Sequence, residues 1–275
     1  MNPYSGGVIR VFPRRTALTP DDGYAFVGNP PMMRPEADKV HVSATFTWDI
    51  PEARRLSLAW GQYYDVELGG PAFDDSPNGF VPGMYLREGV TFTTRGCNNQ
   101  CPWCLVPKRE GKLSIIRDFA PGYIIQDNNV LQAGRAHFAR VCDMLRQQRK
   151  AAIFSGGLDA TLVDDWVAEE ISGIRVDQVF LACDTEGALR PLQKAVERLS
   201  FLGRQKTRCY VLIAFGGETL DQAEARLRRV WEIGAMPFAQ LYKPPKDHVQ
   251  EYGSEWRNLA RTWSRPAAMK SLMRE

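Results

Sequence analysis

A chain of 275 residues with 44% hydrophobic and 24% charged residues is long enough for one large α/β domain with a small extension. The first 15 residues lack the apolar segment of a signal peptide, and no run of residues is apolar enough to span a membrane. These features predict a cytoplasmic protein with no membrane partner. The formal net charge of +3 permits a nucleic-acid partner without arguing for one.

The amino-terminal 89 residues are predicted to form an arm, a small βαβ unit and a linker (residues 1–89). The β-prone piece Val8 to Phe12 is expected to be an ordered arm or an edge strand. Residues 39–46 alternate as a strand does, and residues 49–63 show apolar side chains at helical spacing after a possible cap at Asp49. A second strand is expected over residues 65–68.

The most informative stretch follows, over residues 91–112. It contains Cys97, Cys101 and Cys104 in a Cys-x-x-x-Cys-x-x-Cys spacing after a β-prone run. A disulfide would use only two of the three neighbouring thiols and would leave the third unpaired. Zinc would require a fourth protein ligand, and the sequence has no second Cys or His pair that would supply it. A 4Fe–4S cluster with one open iron takes its fourth ligand from a substrate or cofactor. The plainer interpretations are a structural zinc knuckle and a chance cluster.

From Val90 onward, apolar strands alternate with helical segments. A capping box, Thr219 to Gln222, opens the helix after the fifth strand, and a last helix is expected over residues 255–263. Six such repeats predict a parallel sheet flanked by helices and joined by right-handed crossovers. Periodicity alone leaves an open sheet and a curved partial barrel as alternatives. The strands after the first are expected over residues 123–126, 151–154, 178–182, 209–214 and 237–242.

The cysteine spacing, with the aromatic Trp103 directly before the last cysteine, resembles that of the radical S-adenosylmethionine (radical SAM) enzymes. The wider loop is similar to the methylthiotransferase and cobalamin-associated branches, whose accessory motifs this chain lacks. The resemblance implies a six-repeat partial (β/α)6 TIM barrel over residues 90–245, with a helical extension over residues 246–275. It also implies a 4Fe–4S cluster, S-adenosylmethionine, and a one-electron reductant such as flavodoxin or ferredoxin.

The resemblance further implies roles for particular residues. Cys97, Cys101 and Cys104 would bind three irons as thiolates, deprotonated by the metal itself. Trp103 would lie beside the adenine of the cofactor, although a hydrophobic plug over the cluster is equally compatible with the sequence. The expected reaction is reductive cleavage of S-adenosylmethionine and abstraction of a hydrogen atom from an unidentified substrate. No catalytic residue is assigned.

Other cofactor contacts are expected at the carboxyl ends of later strands. Gly216, Gly217 and Glu218 resemble a motif that lies against adenine in this family, and they also fit a plain strand-to-helix turn. The Gly-Gly-Glu-type motif that usually follows the second strand is missing. The candidates for the amino, ribose and carboxylate contacts, each also compatible with a surface turn, are Asp127 and Asn128 at the rim, Gly156 and Gly157, and Asp184.

A second hypothesis is a non-catalytic zinc or iron–sulfur binding module, possibly associated with nucleic acid. Of the remaining cysteines, Cys142 and Cys209 are expected in the core, and Cys183 ends a strand, where burial is the favoured interpretation. The sequence does not identify the substrate, because a barrel fold does not specify which molecule enters it. A small molecule, a nucleoside and a peptide are all compatible with it.

Overall fold

The computed structural model describes residues 7–73, 85–244 and 250–273. The chain divides into two compact units, Met1–Val90 and Thr91–Glu275. Residues 74–84 of the expected linker and the expected boundary at residues 245/246 lie outside the described residues. Within the described residues, no helix is both long and apolar enough to cross a membrane.

The first unit is built on a four-stranded parallel sheet in the order β2-β1-β3-β4. Its strands are β1 (Val8–Phe12), β2 (Ala25–Val27), β3 (Lys39–Ser43) and β4 (Val66–Gly69). The expectation of an arm or edge strand at the amino terminus is wrong, because β1 lies inside the sheet between β2 and β3. Pairing on both sides explains why four of its five residues are buried.

Helix α1 (Ile50–Trp60) connects β3 to β4, so the expected βαβ unit is present. Alternate residues of β1 and β3 pack with the buried face of α1 in one core, which includes Ile9, Val11, Val40, Val42, Ala53, Leu56 and Trp60. Asp49 stands at the N-cap of α1 but caps no backbone amide. Its carboxylate instead accepts hydrogen bonds from Arg14 Nε at 2.7 and 3.0 Å.

The second unit is built on a six-stranded parallel sheet in the order β12-β11-β10-β9-β8-β5. These strands are β5 (Val90–Thr91), β8 (Ile124–Ile125), β9 (Ala152–Phe154), β10 (Val176–Ala182), β11 (Thr207–Ile213) and β12 (Met236–Leu241). A separate antiparallel pair, β6 (Thr94–Arg95) and β7 (Ser114–Ile115), lies between β5 and β8 in the chain. The parallel α/β architecture expected from the strand–helix alternation is confirmed. The sheet is not closed, because β5 and β12 are its two edges.

Helices follow the strands of this sheet in regular alternation. They are α2 (Val106–Arg109), α3 (Arg135–Arg146), α4 (Asp165–Ser172), α5 (Leu189–Arg198), α6 (Leu220–Ile233), α7 (Ser254–Thr262) and α8 (Pro266–Leu272). The expected capping box at the start of α6 is confirmed: the Gln222 backbone amide donates to the Thr219 hydroxyl, and the Thr219 backbone amide donates to the Gln222 side-chain oxygen. Each strand in the sheet neighbours the next in sequence, so the order never reverses as it does in doubly wound sheets.

Candidate metal centre

The three-cysteine loop is held between β6 and β7, just after the carboxyl end of β5. Gly96 begins it with φ +74°, and a Cβ at this position would lie 2.3 Å from the Lys112 carbonyl oxygen. The Cys97 amide donates to the Gly111 carbonyl at 3.2 Å. The two ends of the loop therefore meet at a point where only glycine fits.

Cys97, Cys101 and Cys104 are free thiols of intermediate burial. Within the described residues, no group of three or more His, Cys, Asp or Glu side chains is gathered closely enough to hold one metal ion. Burial raises the pKa of Cys101 and of Cys104, and the Cys97 thiol and the Asp184 carboxylate raise both further, whereas a hydrogen bond from the Val106 backbone opposes the rise at Cys104. Three thiols on one short loop are the donor set from which an iron–sulfur cluster would take one thiolate for each of three irons.

Gln132 clamps the cysteine loop from the 3-10 turn Val130–Ala133. Its Oε1 accepts from the Asn98 backbone amide at 2.8 Å and lies 3.6 Å from Cys97 Sγ. Its Nε2 donates to Asn99 Oδ1 at 2.9 Å. The sequence prediction missed Gln132, and its only signal is a polar residue within an otherwise apolar turn that follows a predicted strand.

Asp159 ties the same loop to the end of β9. Its Oδ2 accepts from Asn99 Nδ2 at 3.0 Å and from Asn129 Nδ2 at 3.3 Å. Its Oδ1 accepts from the Thr161 amide and hydroxyl at 3.0 and 2.6 Å. Burial by itself would raise the pKa of Asp159, but these hydrogen bonds outweigh it and lower the pKa. The carboxylate is thus a charged anchor for the loop.

Glu110 provides a third anchor for the loop. Its carboxylate accepts from the Gly96 amide at 3.0 Å, Arg95 Nη2 at 2.6 Å and Asn128 Nδ2 at 2.7 Å. Asn128, expected at the rim as a cofactor contact, therefore directs its side-chain amide to Glu110. The bond joins the cysteine loop to the residues that follow β8.

Asp127, also expected at the rim, is instead buried, with 1% of its surface exposed. Its carboxylate accepts from the backbone amides of Thr93 and Thr94 at 2.6 and 3.0 Å and from the Thr93 hydroxyl. The same hydroxyl lies 2.9 Å from His137 Nε2. Burial raises the pKa of Asp127, and the hydrogen bonds oppose that rise. This side chain fastens the start of the cysteine loop to β8 and is not directed toward solvent.

The Gly156–Gly157 pair is explained by backbone packing. A Cβ on Gly156 would lie 1.8 Å from the Asp127 carbonyl oxygen, so the main chain after β9 passes directly against the end of β8. Gly157 has φ +100°. The close approach that requires glycine here is to the neighbouring strand, which accounts for the pair without a ligand.

Trp103 and Asp184 are brought together, as a shared site requires. A hydrogen bond from the Trp103 side chain and one from the Leu212 amide, at 2.8 Å, stabilise the Asp184 carboxylate. Burial is the larger effect and raises the pKa of Asp184. The Trp103 ring also meets Phe215 edge-on, with centroids 5.4 Å apart, and Phe215 meets Tyr242 at 4.8 Å.

These rings form an aromatic wall, which we define as Trp103, Phe215 and Tyr242. The sequence prediction missed Phe215 and Tyr242. The signal that could have found them is their position, because Phe215 directly follows the predicted strand over residues 209–214 and Tyr242 is the last residue of the predicted strand over residues 237–242. Side chains at the carboxyl ends of parallel strands are the ones that line a site in barrel and open α/β folds.

Gly216, Gly217 and Glu218 form the turn that connects β11 to α6. Both glycines are exposed, with φ +66° and +81°, and a Cβ on either would meet no atom within 4 Å. Glu218 Oε2 accepts from the Ala214 amide at 2.9 Å, and its other oxygen pairs with the buried guanidinium of Arg226. Both carboxylate oxygens of Glu218 are therefore already bonded, one to the backbone of the turn and the other to Arg226 in a nearly buried ion pair.

The other three cysteines are buried, as expected. Burial raises the pKa of Cys142 and of Cys183 to about 12, and the pKa of Cys209 is raised well above its ordinary value. Thiols that stay protonated in an apolar core are poor nucleophiles and poor metal ligands. No known protein-family model matches this sequence, and no curated protein matches it significantly.

Proposed function

We propose that this chain is a radical SAM enzyme that uses a 4Fe–4S cluster to cleave S-adenosylmethionine reductively and abstract a hydrogen atom from a substrate. The observation that carries the proposal is the placement of three free thiols, Cys97, Cys101 and Cys104, on one loop at the carboxyl end of the first strand of a parallel six-stranded sheet. The cytoplasm, where thiols stay reduced, is the compartment that suits such a site.

The strand order supports this proposal. When the strand order never reverses, right-handed crossovers place all the helices on the same face of the sheet. A sheet that has helices on one face alone curves around its other, uncovered face. We infer a partial (β/α)6 barrel on that basis. In barrels of this kind, chemistry collects at the carboxyl ends of the strands. The cysteine loop, Asp184 and the aromatic wall all follow strand ends.

The bound cluster would supply one electron to the sulfonium group and an open iron for the amino and carboxylate groups of the cofactor. The chain's own residues prepare this chemistry. The raised pKa values of Cys101 and Cys104 favour the protonated thiols, so binding of a metal there would be coupled to release of these protons. Gln132, Asp159 and Glu110 hold the loop in place around the donor set.

The aromatic wall and Asp184 are the best remaining candidates for the cofactor contacts. An aromatic face suits adenine, and large apolar rings exclude water from a reactive site. Asp127 and Glu218 are no longer proposed as ligands, because their carboxylates are already bonded to Thr93 and Thr94 and to Ala214 and Arg226, respectively. The hydrogen-abstraction substrate stays open among small molecules, nucleosides and peptides.

Anaerobic reconstitution with iron and sulfide, followed by dithionite and S-adenosylmethionine, tests the proposal. We expect a brown protein with four irons per chain that releases 5′-deoxyadenosine. Cys101→Ala should lose both cluster and product, whereas the matched variant Cys142→Ala, outside the loop, should keep both. A fully loaded cluster that yields no 5′-deoxyadenosine would contradict the proposal. Colourless protein holding one zinc would support the non-catalytic module instead.

A further inference from the structure

The six-stranded sheet carries a patch of large side chains on the face opposite its helices. Successive side chains of a strand point to opposite faces, and alternate residues from Cys209 to Ile213 belong to the core that the sheet shares with the helices. Arg208 and Tyr210, between them on β11, therefore lie on the other face. Phe180 of β10 pairs in register with Arg208, and Phe238 of β12 pairs with Tyr210. We define these four residues as the Arg208 patch.

The rings of the patch form a surface that holds the guanidinium of Arg208. The guanidinium carbon lies 5.7 Å from the centroid of the Phe180 ring and 5.9 Å from that of Phe238, within the range of cation–π interactions. The Tyr210 ring stacks on Phe180 with centroids 4.5 Å apart and meets Phe238 edge-on at 5.8 Å. Its hydroxyl donates to the Ser155 carbonyl at 2.9 Å. The positive charge is thus held on an ordered aromatic surface.

The guanidinium of Arg208 has no anionic partner in the part of the chain that the structure describes. Its Nε is buried and forms no hydrogen bond. Burial lowers the pKa of Arg208, and the one influence that opposes this is the Tyr210 hydroxyl, so no carboxylate lies close enough to stabilise the charge. The Asp184 carboxylate, beyond the end of β10, is instead bonded to the Leu212 amide and to Trp103. A partly buried charge with an unused donor is costly unless a ligand of opposite charge completes it.

We propose that the substrate carries an oxyanion, a carboxylate or a phosphate, and that Arg208 binds it. This inference rests on the proposed function and specifies the class of substrate. A guanidinium presents paired N–H donors whose geometry matches both kinds of anion. The rings of Tyr210 and Phe238 are only partly buried, so they offer an apolar surface to the rest of the molecule. A neutral molecule bound here would leave the guanidinium without a counter-ion.

The position of Arg208 along β11 fits an anchor for one end of a small molecule. Leu212, whose amide binds Asp184 beside Trp103, follows Arg208 by four residues, which corresponds to about 13 Å of strand. A molecule held by its anionic end at Arg208 would extend along the sheet toward the carboxyl ends of the strands, where the cysteine loop begins. We therefore expect the carbon that loses a hydrogen atom to be remote from the anionic group.

The test measures the affinity of the full chain for three small aromatic probes: phenyl phosphate, benzoate and the neutral benzamide. Dissociation constants are obtained from ligand-observed NMR titrations. The unaltered protein should bind one of the two anions about tenfold more tightly than benzamide, because hydrogen bonds to charged groups are the stronger ones. The anion that binds more tightly identifies the group on the substrate as a phosphate or a carboxylate. Arg208→Gln should weaken that anion about tenfold and leave benzamide unchanged.

Two further variants serve as comparisons. Arg208→Lys keeps the charge and loses the paired donors, so it should weaken the preferred anion by about threefold. Arg190→Gln removes an exposed cation on α5 and should change no affinity. Equal anion affinities in Arg208→Gln and the unaltered protein would overturn the proposal, as would benzamide binding as tightly as both anions. If circular dichroism shows that Arg208→Gln is unfolded, Arg208→Lys and the preference of the unaltered protein for an anion over benzamide decide the matter.

These titrations require no cleavage of S-adenosylmethionine, so the two proposals can fail separately. If an anion binds through Arg208 and no protein yields 5′-deoxyadenosine, the proposed function fails and the anion site stands. If 5′-deoxyadenosine is formed and neither anion binds, the anion site is wrong and the proposed function stands.

Discussion

Replacing Gln132 with alanine tests whether the clamp organises the cysteine loop. The substitution removes two hydrogen bonds to the loop, at 2.8 Å to the Asn98 amide and at 2.9 Å to Asn99 Oδ1. Each bond is worth about 1 kcal/mol net, so local opening of the loop becomes easier by about 2 kcal/mol. Because 1.4 kcal/mol corresponds to a factor of ten, the protection of the Asn98 amide against hydrogen exchange should fall about 30-fold.

Hydrogen exchange measured by NMR on the metal-free protein provides the assay. The Ile116 amide, which donates to the Thr93 carbonyl at 2.9 Å, serves as an internal reference and should keep its protection. Gln193→Ala removes a glutamine that bonds Glu197 on the exposed face of α5, and it should leave Asn98 unaffected. Unchanged protection of Asn98 in Gln132→Ala would refute the assignment of Gln132 as the residue that orders the loop.

Three further predictions concern the framework around the site. Gly156→Ala should lower the free energy of unfolding by about 3 kcal/mol, measured by denaturant titration, because its Cβ would meet the Asp127 carbonyl at 1.8 Å, whereas Gly187→Ala should be nearly neutral. Ala214→Gly should raise the melting temperature, with a gain of about 0.5–1 kcal/mol, because Ala214 has φ +66°; a lower melting temperature would contradict this reasoning. Burial lowers the pKa of His137, so the unfolded state binds more protons, and stability should fall as pH drops below 6.5 toward the folded pKa. His137→Gln should reduce this dependence of the free energy of unfolding on pH, measured by denaturant titration at several pH values. An unchanged slope of unfolding free energy against pH would contradict the role given to His137.

The strands and helices around the site were largely predictable, because their signals are local. Alternating apolar runs predicted the parallel strands, and Thr219 with Gln222 predicted the start of α6, since a capping box involves residues only three apart. The central position of β1 was not predictable in the same way. Strand pairing depends on partners far along the chain, and its neighbour β2, with three residues, is too short to show a period.

The contacts of the site residues were harder to predict for the same reason. The sequence places Asp127 directly after an apolar strand, which is equally compatible with a rim position and with an internal bond. The groups that decide the matter are the amides of Thr93 and Thr94, more than thirty residues earlier. Gln132 likewise gains its role only when the turn after β8 folds against a loop that precedes it by a similar distance.

The position of β5 at one edge of the six-stranded sheet affects what holds the segment that follows it. A strand at an edge is paired on one side, and this one is only two residues long, so main-chain pairing contributes little to the order of the cysteine loop. The bonds from the buried Asp127 carboxylate to the amides of Thr93 and Thr94 take over that task. How readily the loop opens is therefore set by side chains that come later in the chain, and a single substitution among them would loosen the loop without unfolding the sheet.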